Sequence, residues 1–239
     1  MAKKGGGTTV KRQCAPSFWK VRRKHGQFVV RARPGPHPKT VCYPLGILIR
    51  DVLRVGQSMD EVKRMLNDGK VSVDGVVRRN IGWPVGLMDI IELIPLSQAF
   101  RLVPKNRNLL VPVLLSKQTE RSLKLLRVTL RKTIKGEKTQ YGFHDGKTMI
   151  ANEQYSVGDS CLFDLSTKKV KSYMKLEKGS VVLVTKGENA GAIGKIEEIR
   201  EGLFSLPRRT VISFGDRSVE LPVQMVMPVG DEVPIIQVS

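Results

Sequence analysis

His144 stands beside Asp145 in the stretch Tyr141-Gly142-Phe143-His144-Asp145-Gly146-Lys147. An imidazole next to a carboxylate is the minimal equipment for general-base catalysis. Here the spacing argues against it. Neighbouring residues of a strand point to opposite faces, and Asp145-Gly146 already reads as a hairpin turn. Cys14, Cys42 and Cys161 are scattered, with no CxxC pair, and His25, His37 and His144 are equally dispersed. No metal site or other cofactor is expected from them. An odd, scattered set of thiols suits a reducing, cytosolic compartment. Gly187-x-x-x-Gly191-x-x-Gly194-Lys195 suggests a phosphate loop, but a P-loop needs Gly at 189 and Ser or Thr at 196, where Asn189 and Ile196 stand. The dinucleotide fingerprint needs other spacing and a following helix, whereas Ile193–Ile199 reads as a strand. No catalytic residue is expected.

The chemistry that remains is cationic. Lys and Arg number 41 against 22 Asp and Glu, a formal charge of +19. Such an excess opposes compaction unless a polyanion neutralises it, and nucleic acid is the first candidate. No apolar run approaches the roughly 20 residues of a membrane span. Lys3-Lys4-Gly5-Gly6-Gly7 is followed by no apolar segment, so neither a secretory signal nor a membrane partner is expected. The charge is uneven. Residues 1–42 hold 11 basic side chains and no acid, residues 43–105 hold 9 and 7, residues 106–175 hold 14 and 6, and residues 176–239 hold 7 and 9. These blocks are also the expected domains.

The first block interleaves cations with Gly, Pro and aromatics. Pro34, Pro36 and Pro38 forbid a helix there. Such an arm is expected to bury little and to stay disordered until RNA orders it. Lys11, Arg12, Lys20, Arg22, Arg23, Lys24, Arg31 and Arg33 suit phosphates, while Phe18, Trp19 and Phe28 suit stacking on bases or packing in a groove. Removing residues 1–39 is then expected to leave a folded remainder.

Order begins at Pro44, a residue suited to a first helical position. Leu45, Leu48, Ile49, Val52 and Leu53 form one helical face, with Arg50 and Arg54 off it. A second helix opens on Ser58 with Glu61 three later, buries Val62, Met65 and Leu66, carries Lys63 and Arg64 outside, and stops at Gly69. Val71-Ser72-Val73-Asp74-Gly75-Val76-Val77 is a hairpin flanked by Lys70, Arg78 and Arg79, and Met88–Leu93 reads as a closing strand. Residues 106–175 read as β-rich. Lys124–Arg131 is either a strand or the continuation of a short helix begun near Ser116. Lys168, Lys169, Lys171 and Lys175 make a lysine-rich edge. Gly215-Asp216 marks a late hairpin.

Two helices, a Gly69–Gly75 hairpin and a strand opened by Asp89 resemble the S4-type RNA-binding domain. That small α/β module recurs in ribosomal proteins, pseudouridine synthases and a tRNA synthetase. Where the generic module has Pro-Gly-Asp, this chain has Gly86-Leu87-Met88-Asp89. That variant, with Gly35-Pro36-His37 and Tyr43-Pro44-Leu45, resembles the S4e family of small-subunit ribosomal proteins, of archaeal and eukaryotic type, over nearly the whole chain. The strand, glycine loop and strand around residues 181–199 resemble a KOW motif in an SH3-like barrel. The resemblance implies an α+β multi-domain protein: a basic extended arm, an S4-type α/β domain, a β-rich central domain and a KOW barrel.

It also implies a structural constituent of the small ribosomal subunit, cytoplasmic in the ribosome, with small-subunit rRNA and neighbouring ribosomal proteins as partners and no homo-oligomer. The expected RNA-binding set is the arm cations with Trp19, then Arg50, Arg54, Lys63, Arg64, Lys70, Arg78 and Arg79, then Lys186, Gly187, Asn189, Gly191, Gly194 and Lys195. Glycines in that last loop permit positive φ and close approach to an RNA backbone, and Asn189 also tolerates a left-handed backbone. A pseudouridine-synthase-like enzyme is the alternative, but roughly 70 residues between the two modules are too few for a catalytic domain. A KOW factor that cycles on and off RNA is the other, opposed by the long basic arm.

Overall fold

Far from being a loose tail, the arm is folded. Its strands β1 (Thr9–Lys11) and β2 (Phe28–Val30) pair antiparallel, with Val10 opposite Val29. This computed structural model describes residues 7–22, 24, 26–105, 109–136, 138–151, 153–215 and 217–237. Arg23 of the expected RNA set and Asp216 of the expected late turn lie outside the described residues. Trp19, Val29 and Ala32 are buried in one core with Leu45, Ile47, Leu48 and Ile49, and Phe18 and Val21 pack against it. The expectation of an arm disordered by itself is therefore corrected. Apolar residues are sparse in it, but they are placed to finish a neighbour's core, which composition does not reveal.

Next come β3 (Tyr43–Pro44), α1 (Leu45–Ile47), α2 (Met59–Asn67), β4 (Val71–Val73), β5 (Val76–Val77), β6 (Pro84–Val85), β7 (Ile90–Leu93), β8 (Gln98–Lys105) and β9 (Leu109–Leu114). The first helix continues beyond Ile47 as a widened turn, in which the Leu53 amide donates to Leu48 O at 2.9 Å, and the chain leaves it at Arg54 with φ +57°. Ser58 caps α2 by accepting from the Glu61 amide, and the Glu61 carboxylate accepts from the Gln57 amide at 2.8 Å. Gly69, at φ +74°, ends it. Asp74 and Gly75 both have positive φ, as a tight two-residue hairpin turn demands. The sheet order is β5-β4-β7-β8-β9. Because Phe100 pairs with Leu114 and Lys105 with Leu109, the boundary expected at 105/106 falls inside the β8–β9 hairpin.

The middle sheet holds β10 (Leu123–Thr133), β11 (Thr139–Phe143), β12 (Thr148–Ala151), β13 (Ser160–Asp164) and β14 (Lys169–Met174), in the order β12-β11-β10-β13-β14. The alternatives left open for Lys124–Arg131 resolve as strand: only a short 3-10 turn, Gln118–Ser122, precedes it. Alternation is broken because Lys124, Leu125 and Leu126 are all buried, so both faces of β10 are covered here. The last sheet holds β15 (Val181–Val184), β16 (Ile193–Arg200), β17 (Arg209–Ser213), β18 (Ser218–Pro222) and β19 (Val226–Gly230), in the order β18-β17-β16-β15-β19. Met88 and Val103, Leu125 and Leu162, and Leu183 and Met227 share one core, so the three five-stranded sheets meet. The protein is mostly β, with few helices.

Candidate nucleic-acid interface

The arm and the first helical segment converge. Lys20 and Arg22 line one depression with Arg50, Arg54 and Asp51. Lys20, Arg22 and Arg54 are exposed. Arg50 is half-buried and forks onto Asp51, Nε to Oδ1 at 3.1 Å and Nη2 to Oδ2 at 2.8 Å, which leaves it less free for a ligand. Arg12 is also committed: its guanidinium donates to the carbonyls of Arg22 at 3.1 Å and Val21 at 3.2 Å. It shapes the turn that presents Lys20 and Arg22. Lys11, Lys24, Arg31 and Arg33 are exposed, and the Arg33 amide donates to Gly82 O at 2.8 Å, three residues beyond Arg79. Lys63 and Arg64 are exposed on α2. Arg79 is exposed, Lys70 pairs with Asp68 at 2.9 Å, and Arg78 lies 3.9 Å over the Trp83 ring.

Trp19 does not belong to this surface. It is 4% exposed, and its Nε1 donates to Cys42 O at 2.8 Å. A ring packed in the core cannot stack on a base, so its expected role is corrected. Phe18 stands edge-on to Tyr43 with centroids 5.1 Å apart, and of the three aromatics only Phe28 is well exposed.

The glycine loop between β15 and β16 is a separate place, and its glycines have other reasons. Gly187 and Gly191 have φ of +91° and +90°, while Asn189 is not among the residues of positive φ. A Cβ on Gly191 would lie 2.4 Å from Pro104 O, and one on Gly194 would lie 2.4 Å from Ser213 O. The close approach that requires glycine is to the protein's own backbone, at the β8–β9 hairpin and at β17. Exposed Lys186 and Lys195 remain able to meet a phosphate. A basic cluster not singled out from sequence is the end of the β10–β11 hairpin, where Arg131, Lys132, Lys135 and Lys138 are all exposed. Its signal was the run from 131 to 138 around Gly136.

A second cluster resembles an active site. Fully buried Lys124 donates to Asp74 at 2.6 Å, Asp89 at 2.6 Å and Asp145 at 3.1 Å. Lys147 bridges Asp74 and Asp145, and His37 of the arm meets Asp89 Oδ2 at 3.0 Å. Asp89 Oδ2 also accepts the Gly86 amide at 2.8 Å, and a Cβ on Gly86 would strike the His37 ring at 2.4 Å. The Gly86–Asp89 variation is thus tied to His37. Burial opposes both charges, but the lysine and carboxylates outweigh it. Asp89 is held below the usual carboxylate range by Lys124 and His37, and Lys124 above the usual amine range by Asp89, Asp74 and Asp145. A proton-transfer group needs a pKa near the working pH. These groups are locked in their charged forms, so the cluster joins the arm, the first sheet and the middle sheet rather than moving protons.

His144 sits beside this cluster without pairing with Asp145. Its Nδ1 accepts the Arg127 amide at 3.1 Å, which leaves Nε2–H to donate to Leu87 O at 3.2 Å. Burial first, then Lys124, pulls the ring from 6.5 down to about 4. The fold holds it neutral where the unfolded chain would protonate it. Stability is therefore complete above about pH 6.5 and falls as pH drops toward 4, by about 3 kcal/mol in all. The carboxylates of Asp89 and Asp145 act lower, below their ordinary 3.8. Urea unfolding at pH 7 and pH 4.5 measures the histidine window, and a His144→Gln chain is expected to lose most of that slope. An unchanged slope would show that other groups cause it.

The sequence matches the ribosomal family S4e over residues 96–170 and the RS4NT (NUC023) domain over residues 4–40. Small ribosomal subunit protein eS4 of Pyrobaculum aerophilum is 39% identical over 241 residues, covering 96% of this chain and 98% of its own. The protein of that name from Ignicoccus hospitalis is 32% identical, with 99% and 97% covered. Among solved structures, the 30S ribosomal protein S4e from Thermoplasma acidophilum superposes with a TM-score of 0.67 at 28% identity, over 80% of this chain and 95% of that one. With relatives above 30% identity along almost its entire length, the chain belongs to the S4e family of ribosomal proteins.

Proposed function

We propose that the chain is a structural constituent of the small ribosomal subunit, in the cytoplasm, and that it holds small-subunit rRNA in place by contacts to the phosphate backbone. The observation that carries this is the meeting of Lys20 and Arg22 from the arm with Arg54 from the helical segment on one exposed surface; Lys63 and Arg64 add exposed cations on the following helix. Cations from segments far apart in sequence form one basic field suited to RNA shape rather than base sequence. In this proposal residues 43–105, with β9 added, act as an S4-type unit and residues 1–42 as an arm docked on it. Residues 106–175 supply the basic β10–β11 hairpin, and residues 176–239 act as a KOW-type unit contributing Lys186 and Lys195. Neighbouring ribosomal proteins complete the partners.

The test is a salt titration of binding to a small-subunit rRNA fragment, with Lys20, Arg22, Arg54, Lys63 and Arg64 changed together to Gln. Arg50 and Arg78 stay, because their partners Asp51 and Trp83 make them structural. The slope of log K against log salt is expected to shrink by about 0.7–0.9 for each phosphate that is no longer neutralised, with the unfolding midpoint unchanged. Equal slopes for the two proteins would mean that this face is merely solvated.

A further inference from the structure

Four parts of the chain meet around one cavity of about 350 Å³. Pro36 and Pro38 of the arm, Leu87 and Leu110 of the first unit, Phe143 of the middle sheet and Met227 of the last give it apolar walls. Because the arm supplies one wall, the cavity exists only while the arm is docked. Places where units meet are favoured for ligands, and this volume lies near the low end of the usual range, about 300–1,000 Å³. It suits one nucleotide-sized group rather than a strand or a helix.

The charges on its walls have one sign. Arg127 and Lys186 line it, and among the described residues no Asp or Glu does. Arg127 is half-buried on β10, and its Nη1 donates to the carbonyls of Gln224 and Val226, the latter at 3.1 Å. Among the described residues its Nε and Nη2 have no hydrogen-bond partner, and no carboxylate pairs with the guanidinium. Burial therefore lowers its pKa with no acid to offset the loss of water. Lys186 is exposed in the β15–β16 loop and is likewise unpaired among the described residues. The acids of the buried cluster, Asp74, Asp89 and Asp145, are each already held by Lys124. His144 also lines the cavity; both its nitrogens are bonded to backbone groups, so it adds a flat, uncharged ring to the wall.

Apolar walls, flat rings and two unneutralised cations complement a base that carries a phosphate. Folded RNA presents such groups in loops and bulges, where bases stand unstacked. A protein partner could enter this volume only by a single side chain, which offers an aromatic body or an anion, whereas a nucleotide offers both at once. We propose that the cavity receives one unstacked nucleotide of rRNA, its base against the apolar walls and its phosphate on Arg127 and Lys186. This deepens the ribosomal function proposed above and rests on it. One nucleotide held there touches the arm, the middle sheet and the last sheet together.

The test compares the original full chain with Thr129→Trp and Lys186→Gln on a small-subunit rRNA fragment, by base-specific chemical probing and by titration. Thr129 lines the cavity and is exposed, so an indole there fills the space without removing a cation. Lys186→Gln removes a cation from a solvated loop and leaves the packing alone. The original chain is expected to protect one base that both variants leave as reactive as in free RNA, while the other protected positions persist. Affinity is expected to fall about tenfold with Thr129→Trp, within the range for the loss of one stacked base. Unfolding midpoints confirm that the variants are folded; should Thr129→Trp not fold, the single-base response of Lys186→Gln decides in its place. The absence of any such base, or a folded Thr129→Trp chain that binds as tightly as the original, would overturn the nucleotide pocket and leave the ribosomal function standing. So would the loss of a neighbouring protein from assembled small subunits with every RNA protection intact, since the occupant would then be a protein side chain. If the original chain binds no small-subunit rRNA, the ribosomal reading fails and the pocket with it.

Discussion

Replacing Lys124 with Met is expected to cost the fold about 3–5 kcal/mol, the range found when one partner is removed from a buried ion cluster. Net stabilities run only about 5–15 kcal/mol, so this one change consumes much of the total. Met matches the length of the lysine stem, and the lost volume is small. What is lost is the ammonium that Asp74, Asp89 and Asp145 surround. Lys147 and His37 remain, but neither touches all three carboxylates. The sign of the pH dependence is part of the prediction. In the original protein Asp89 and Asp145 have lowered pKa values. Their contribution is present above the unfolded value and is lost as pH falls through the folded one. Without Lys124, burial dominates and raises them, so the same groups destabilise as pH rises. Denaturant unfolding of both proteins between pH 4 and pH 7 reads cost and sign together. A further Asp89→Asn change in the variant is expected to recover part of the loss. A cost under about 1 kcal/mol would mean that water already reaches the cluster and screens it.

Trp19→Ala is expected to cost about 3–5 kcal/mol, as truncations of buried large aromatics do. The ring is buried in the core that holds Leu45 and Leu48, and its Nε1 satisfies Cys42 O. Trp19→Phe keeps most of the volume and is expected to cost less, about 1–3 kcal/mol, mainly from the orphaned carbonyl. Had the ring stacked on a base, the pattern would reverse: stability untouched and about 1–3 kcal/mol lost from RNA binding. Unfolding curves and RNA titrations on the same two variants separate these cases. The same packing changes the outcome for removal of residues 1–39. That truncation strips Trp19, Val29 and Ala32 from the core, and takes His37 from Asp89. A destabilised protein is expected in place of a folded remainder. The arm thus carries exposed cations and is also part of the first unit's core.

The helical region and the hairpins were legible because their signals are local. Ser58 with Glu61, Gly69, and Asp74-Gly75 each act on neighbouring backbone, and each does in the structure what its chemistry predicts. The strand at Lys124 stayed ambiguous because a side chain buried on both faces leaves no alternation to read. The glycine loop was legible as a loop, yet the reason for Gly191 lay in Pro104, a contact that spacing does not contain.

Local chemistry in the sequence thus determined which segments would turn, cap and pair, and the excess of cations pointed toward a polyanion. His144 and Asp145, adjacent in the sequence but not expected to act as a pair, each find a separate partner in the structure. Only the tertiary structure decided which cations are free. Arg12 and Arg50 are held by their own chain, while Lys20, Arg22 and Arg54 are left to solvent. Only the tertiary structure brought Lys124 to Asp74, Asp89 and Asp145, because charges 21 to 50 residues apart meet only once the first and middle sheets have packed. The physical reason is the same in both cases. Turns and caps are settled within a few residues, whereas the fate of a charge depends on what desolvates it, and that is a property of the packed whole.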